Sequence, residues 1–173
     1  MWRTAIAVAL FLSCCVSAET LRIRCKYTFS TWTVATLTGL TFNEEERDKI
    51  VPAPLDITKT KDGAGAGVEF RSRPRPEDSN DVSNTHSVVV APAEAKQLAD
   101  AFAKFPALVR QAQTKRENAK TEIVNIPDGG PILMLISENS GRKVFMEFAF
   151  GQACFVVGKN EAEKLAAAIR KAL

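Results

Sequence analysis

Three carboxylates, Asp56, Glu69 and Glu147, lie in or beside strand-like stretches and are the residues whose type could carry acid–base chemistry. Glycoside hydrolysis needs two such groups converging on one bond, one to protonate the leaving oxygen and one to attack or to activate water. A hydrolase using these carboxylates is therefore one expectation. The pattern around Glu147 weighs against it. Val144, Met146, Phe148 and Phe150 share one face of an alternating run, and Glu147 falls on the other, toward solvent. Glu44, Glu45 and Glu46 are consecutive on a polar stretch and do not converge. His86 is the only histidine, so a Ser–His–acid triad has a single candidate base, and no serine stands in a Gly-x-Ser-x-Gly turn. One histidine also leaves too few ligands for an ordinary zinc site. The glycine-rich stretch Gly63–Gly67 lacks the Lys-Ser/Thr of a phosphate-binding loop. Asp78, Asn80 and Asp81 lack the glycine and the closing glutamate of a calcium loop. The residues thus argue for no catalytic set, no metal and no cofactor.

Arginines offer a different chemistry. Arg71, Arg73 and Arg75 alternate with Ser72, Pro74 and Pro76, and guanidinium groups at every second residue of an extended segment project the same way. Such a row suits phosphate or carboxylate groups, so an anion-binding surface is a further expectation. Arg22, Arg24 and Lys26 form a similar row on the first strand. The competing use of both rows is to keep strand edges soluble.

The first eighteen residues bear on where the chain works. Arg3 precedes an apolar run, Ala5–Leu12, which ends in the small-residue step Val16-Ser17-Ala18. That is the layout of a Sec-type export signal, with cleavage expected after Ala18. The run is too short to span a bilayer core of about 30 Å. A periplasmic or secreted location follows as the expectation, with about 155 residues remaining, enough for one ordinary domain. Loss of Arg3 lowers the net charge from +3 to +2, too weak a balance to argue for nucleic acid. Cys14 and Cys15 leave with the signal, and Cys25 and Cys154 remain, one near each end. In an oxidising compartment a Cys25–Cys154 disulfide is expected. Closing so long a loop contributes roughly 4–5 kcal/mol in the chain-entropy picture.

The elements that must position these groups are legible from periodicity. Leu21, Ile23, Cys25, Tyr27 and Phe29 alternate with polar residues and predict a half-buried antiparallel strand. A second strand is expected over Trp32–Leu40, broken by Asn43–Lys49, with Val51–Pro54 as a connector. Asp56–Thr60 and Val68–Ser72 read as a hairpin with a glycine-rich tip, and Arg73–Thr85 as a loop. A strand at Ser87–Val90 leads into a helix with Pro92 at its first position, and Pro106 splits that helix from a second one ending near Glu117. Strands at Thr121–Ile126, Pro131–Ser137, Arg142–Phe150 and Ala153–Val157 precede a last helix, Glu161–Leu173, with Asn160 as N-cap and Glu163 completing a capping box. The core is expected to contain Ile23, Tyr27, Val88, Val90, Leu98, Phe102, Leu133, Leu135, Val144, Met146, Phe148, Val157, Leu165 and Ile169.

Val88–Lys104 can be laid on Phe155–Lys171 at a constant offset of 67, aligning two valine pairs, two Glu-Ala steps and two Leu-Ala steps. A strand that turns directly into an amphipathic helix occurs twice. The fold class expected is α+β: one antiparallel sheet with two or three helices on one face, and a possible duplicated strands-then-helix unit with halves 19–120 and 121–173. With no acid–base set in view, the function expected is that of an exported, non-catalytic protein of the cell envelope or periplasm, acting by binding or assembly with a protein or envelope ligand. The carboxylate hydrolase and the Arg71/Arg73/Arg75 anion surface are the alternatives.

Overall fold

The computed structural model describes residues 18–35, 41–60, 67–72, 85–151 and 153–173, and for 27–35 and 41–49 it describes the backbone. Most of the leader, the glycine-rich tip, the loop that holds Arg73 and Arg75, and the end of the expected Trp32–Leu40 strand lie outside the described residues.

Among the described residues, eight strands form one antiparallel sheet. They are β1 (Glu19–Ala35), β2 (Thr41–Thr60), β3 (Gly67–Ser72), β4 (His86–Val90), β5 (Ala119–Asn125), β6 (Ile132–Glu138), β7 (Lys143–Phe150) and β8 (Ala153–Val157). Between β4 and β5 run α1 (Pro92–Ala103) and α2 (Phe105–Lys115), and α3 (Lys159–Ala172) follows β8. The order across the sheet is β4-β3-β2-β1-β8-β7-β6-β5. The chain makes one four-strand meander, then a second, and the first strand of one lies beside the last strand of the other.

Alternation explains the layering. Ile23 and Cys25 of β1, Ala53, Leu55 and Ile57 of β2, Phe70 of β3, Leu133 and Leu135 of β6, Met146, Phe148 and Phe150 of β7, and Phe155 and Val157 of β8 are buried in one cluster. The same cluster takes in Leu98 and Phe102 of α1 and Leu165 and Ile169 of α3. The helices α1 and α3 pack on one another; α3 also meets β1, β2 and β8, and α1 meets β3 and β5. Of the expected core positions, Val88 and Val144 are half-buried and pack against the cluster. The side chain of Tyr27 lies outside the described residues.

The sheet is curled. Phe70 in β3 and Phe148 in β7 are separated by β2, β1 and β8, which in a flat sheet would put them about 19 Å apart. Their ring centroids are 5.4 Å apart at 66°. Phe148 also meets Phe102 of α1 edge-on at 5.5 Å. Curling closes the buried face around these rings, the geometry aromatic quadrupoles favour.

Three local expectations need correction. Trp32–Ala35 does not begin a second strand: it is the end of β1, which runs unbroken from Glu19 to Ala35. Asn43–Lys49 and Val51–Pro54 do not interrupt the sheet: β2 runs through both, paired with β1 from Ala35↔Thr41 to Glu19↔Ile57. Strand pairing over a long register outweighs the poor β-propensity of Glu, Asp and Pro there. The N-cap of α3 is Gly158 rather than Asn160, so the helix starts at Lys159 and Glu161 takes the third helical position. In α1 the equivalent Glu94 accepts a hydrogen bond from the Ala91 backbone N–H at 2.9 Å, closing the first turn. Pro106 falls within the first turn of α2, where a missing N–H is tolerated, so it separates α1 from α2 as expected.

Candidate functional site

The three carboxylates are all on the sheet, and each has a neighbour of its own. Asp56 accepts a hydrogen bond from Thr20 Oγ1 at 2.5 Å. Glu69 Oε1 accepts from Arg71 Nε at 3.2 Å, from Arg71 Nη2 at 3.0 Å and from Ser87 Oγ at 2.9 Å. Glu147 pairs with Lys120 Nζ at 3.4 Å and is 19% exposed, half-buried rather than fully turned to solvent. Glu69 and Glu147 precede Phe70 and Phe148 on their strands and so fall on the face turned away from the ring cluster, each held by a different cation, Arg71 and Lys120. The structure therefore does not bring this pair together on one bond. Arg71 belongs to the Glu69 cluster, so its guanidinium is already held by a carboxylate on its own strand. Arg73 and Arg75 lie outside the described residues. His86 is half-buried at the start of β4, in register with Ser72.

The two thiols are free in the structure, in place of the expected disulfide. Register gives the reason. Cys25 pairs with Phe155, and Cys154 pairs with Lys26. Directly paired residues share a face and successive residues alternate, so the two cysteines sit diagonally on adjacent strands with side chains on opposite faces. A bridge needs Cβ atoms that point at one another. Burial pushes the Cys25 thiol up, with the Cys154 backbone N–H opposing. Cys154 is pushed up to about 11, first by burial and then by the negative charge of Glu147. Both are held as thiols at neutral pH, which makes them poor nucleophiles.

Beside the edge strand β5 lie two hollows. One, about 130 Å³, is bounded by Leu108 and Ala112 of α2 and by Ile123, Leu135 and Ser137. The other, about 390 Å³ and open, lies between Lys96 and Asp100 of α1, with Lys104 just past its end, and Ile123 and Val124. Ile123 borders both because the register shifts between Glu122 and Val124, and a bulge re-aims the residue it displaces. Ser137 Oγ donates to the Glu117 carbonyl at 2.8 Å. Among the described residues no group of three His, Cys, Asp or Glu is placed to hold a metal ion. No described helix is long and apolar enough to cross a membrane.

The largest feature missed in the sequence is a ribbon. β8 pairs with β1 only at Arg24, Cys25 and Lys26, and β3 pairs with β2 only from Leu55 to Thr60. Beyond those limits β1 and β2 continue together, from Tyr27↔Lys49 to Ala35↔Thr41. Among the described residues no third strand pairs with this stretch. The signal was present as Thr, Val and aromatic residues over 27–35, but the charged run 44–49 disguised the return strand. No known protein family, no curated protein and no solved structure matches the chain.

Proposed function

We propose that this is an exported, non-catalytic protein of the cell envelope or periplasm that works by binding or assembly. The ribbon carries the reading. A two-stranded hairpin is at best marginally stable alone in water, so a ribbon that outruns both flanking strands suits a role that brings another surface to it. The chemistry of the sheet agrees: Glu69 and Glu147 serve local ion pairs and Asp56 a local hydrogen bond, on separate strands. Export rests on the leader pattern. The first strand begins at Glu19, the residue that cleavage after Ala18 would make the first, and Glu19 already pairs with Lys171 of α3 at 3.5 Å.

The finer architecture belongs to the same proposal. The helices lie on the concave face of the curled sheet, and the two meanders are a duplicated unit. The offset of 67 supports this, because it carries β4 (His86–Val90) onto β8 (Ala153–Val157) and the start of α1 onto the start of α3.

The test is a shortened chain in which Tyr27 is joined to Lys49 by an Asn-Gly turn. Cross-linking of the exported protein in its own compartment is compared for the two forms. The shortened chain should keep its urea midpoint and lose its cross-linked assemblies. Unchanged assemblies would refute the reading. So would turnover of an ester or glycoside that disappears in Glu69→Gln or Glu147→Gln.

A further inference from the structure

The two long edges of the ribbon differ in chemistry. On the β2 side, the residues beyond the reach of β3 include six consecutive charged ones, Glu44, Glu45, Glu46, Arg47, Asp48 and Lys49, and then Pro52 and Pro54. Charge and proline are the usual guards of an edge strand: charges resist close approach, and proline has no N–H to offer. On the β1 side, Tyr27–Ala35 reads Tyr-Thr-Phe-Ser-Thr-Trp-Thr-Val-Ala. It has no charge, no proline and no glycine, and is almost wholly aromatic or β-branched, the composition that favours strand pairing. The other edges of the sheet are guarded. β4 is five residues long. β5 carries a bulge together with Lys120 and Glu122.

We propose, resting on the binding reading above, that the β1 edge Tyr27–Ala35 pairs antiparallel with the same edge of a second copy of this chain. A two-fold axis through Thr31 sets Thr31 opposite Thr31 of the second copy, with Tyr27 opposite Ala35 and Phe29 opposite Thr33. The result is a four-stranded ribbon whose outer strands are the charged β2 segments. A second copy of the chain is the partner this edge fits. A strand edge is its own complement about a two-fold axis, and no other described strand offers an edge that is both unguarded and uncharged. The paired stretch spans about 30 Å, and the threonine pair at its centre is of a type that stabilises sheets. Guarding of one edge only also stops growth: once the two β1 edges are joined, the assembly presents charge and proline outward and closes as a dimer.

The test is sedimentation equilibrium of the purified exported chain from about 1 to 200 µM, a range that brackets micromolar association. A dimer is expected. Thr31→Lys places like charges opposite one another at the axis and should raise the dissociation constant about tenfold or more. Thr31→Glu should do the same. Mixing the two variants should restore a mixed dimer, which a variant that merely misfolds cannot do. A chain that stays monomeric throughout, a dimer indifferent to both substitutions, or a mixture that does not recover would overturn the proposal. A monomer whose ribbon deletion still abolishes envelope cross-links would sink the self-pairing and leave the binding reading standing. If ribbon deletion changes no cross-link, the binding reading falls with it.

Discussion

Exchanging Phe70 and Phe148 for leucine, singly and together, tests whether the sheet curls as described. Both residues are fully buried. Leucine keeps the site apolar and leaves only part of the ring volume empty, so each single change should cost about 1–2 kcal/mol. Alanine would cost about 3–5 kcal/mol at Phe148, and two such losses would use up most of the 5–15 kcal/mol typical of a domain. The edge-on contact between the rings at 5.4 Å adds a coupling of about 0.5–1.5 kcal/mol that neither single variant contains. Urea unfolding reads all three, and with a slope of about 2 kcal/mol/M each single change moves the midpoint by roughly 0.5–1 M. The double variant should be less destabilised than the sum of the singles by the coupling energy. A parallel cycle of Phe70 with Ile136, which shares the far face of β6 with Met134, should be additive within about 0.5 kcal/mol. Additivity in the Phe70–Phe148 cycle would refute the reasoning, because strands with three others between them touch only if the sheet bends back on itself.

Gly141→Ala should destabilise more than Gly129→Ala when both are compared by thermal unfolding. Both glycines have positive φ, +80° and +81°, but a Cβ at Gly141 would lie 2.8 Å from the Ala112 carbonyl oxygen, whereas at Gly129 it meets nothing within 4 Å; the shared backbone strain is about 1–2 kcal/mol, and the excess at 141 reports the packing of that turn on α2. Once the proposed leader is removed, the unfolded chain should show two free thiols, Cys25 and Cys154, with Ellman's reagent, and mass spectrometry should find the mass of the reduced chain. Alkylation of Cys154 should be slow near neutrality and speed up as pH approaches about 11, and Glu147→Gln should move that rise to lower pH by removing a neighbouring negative charge. Because folding raises the Cys154 pKa, the unfolded thiol ionises first, so stability should fall as pH rises between the ordinary thiol value of 9.0 and about 11. Asp100 bridges Lys96 at 2.8 Å and Arg170 of α3 at 3.2 Å, and those two cations hold its carboxyl below the usual range. Its contribution should be present above the ordinary carboxylate pKa and fade as pH falls through the lowered value, and the loss in Asp100→Asn should shrink in high salt.

Period-two and helical patterns were enough to place most elements, because burial on one face writes the pattern directly into the chain. Leu98, Phe102, Leu165 and Ile169 mark the helical faces, and Met146, Phe148 and Phe150 mark β7. Pro92 and Pro106 mark helix starts through their missing N–H. What was not legible depends on partners distant in sequence. Asn43–Lys49 looks like a break because local propensity disfavours Glu and Asp in strands, and only the register with Tyr27–Ala35 shows it to be one. Cys25 and Cys154 looked like a bridge because both lie beyond the expected leader, one near each end, but a one-residue difference in register sends their side chains to opposite faces. Glu147 read as solvent-facing because its partner, Lys120, lies on β5, two strands away.

The same long-range logic gives the ribbon its place in the fold. Because β1 and β8 are the strands where the two meanders meet, the three pairs from Arg24 to Lys26 are, among the described residues, the only strand pairing between the halves. The halves are further joined by the ring cluster around Phe148, by α1 against α3 and β5, by α3 against β1 and β2, and by β4 against β7. A seam so short lets Tyr27–Ala35 run past β8 with β2 as its paired neighbour, and Leu55–Thr60 keeps β2 anchored to β3 on the far side. Extending β1 past β8 therefore adds a pairing edge without opening the core. Lengthening β8 by strand-forming residues to cover Tyr27–Ala35 should, on this account, leave the urea midpoint unchanged or raised while abolishing association. A folded, lengthened variant that still associates would show that the pairing surface lies elsewhere.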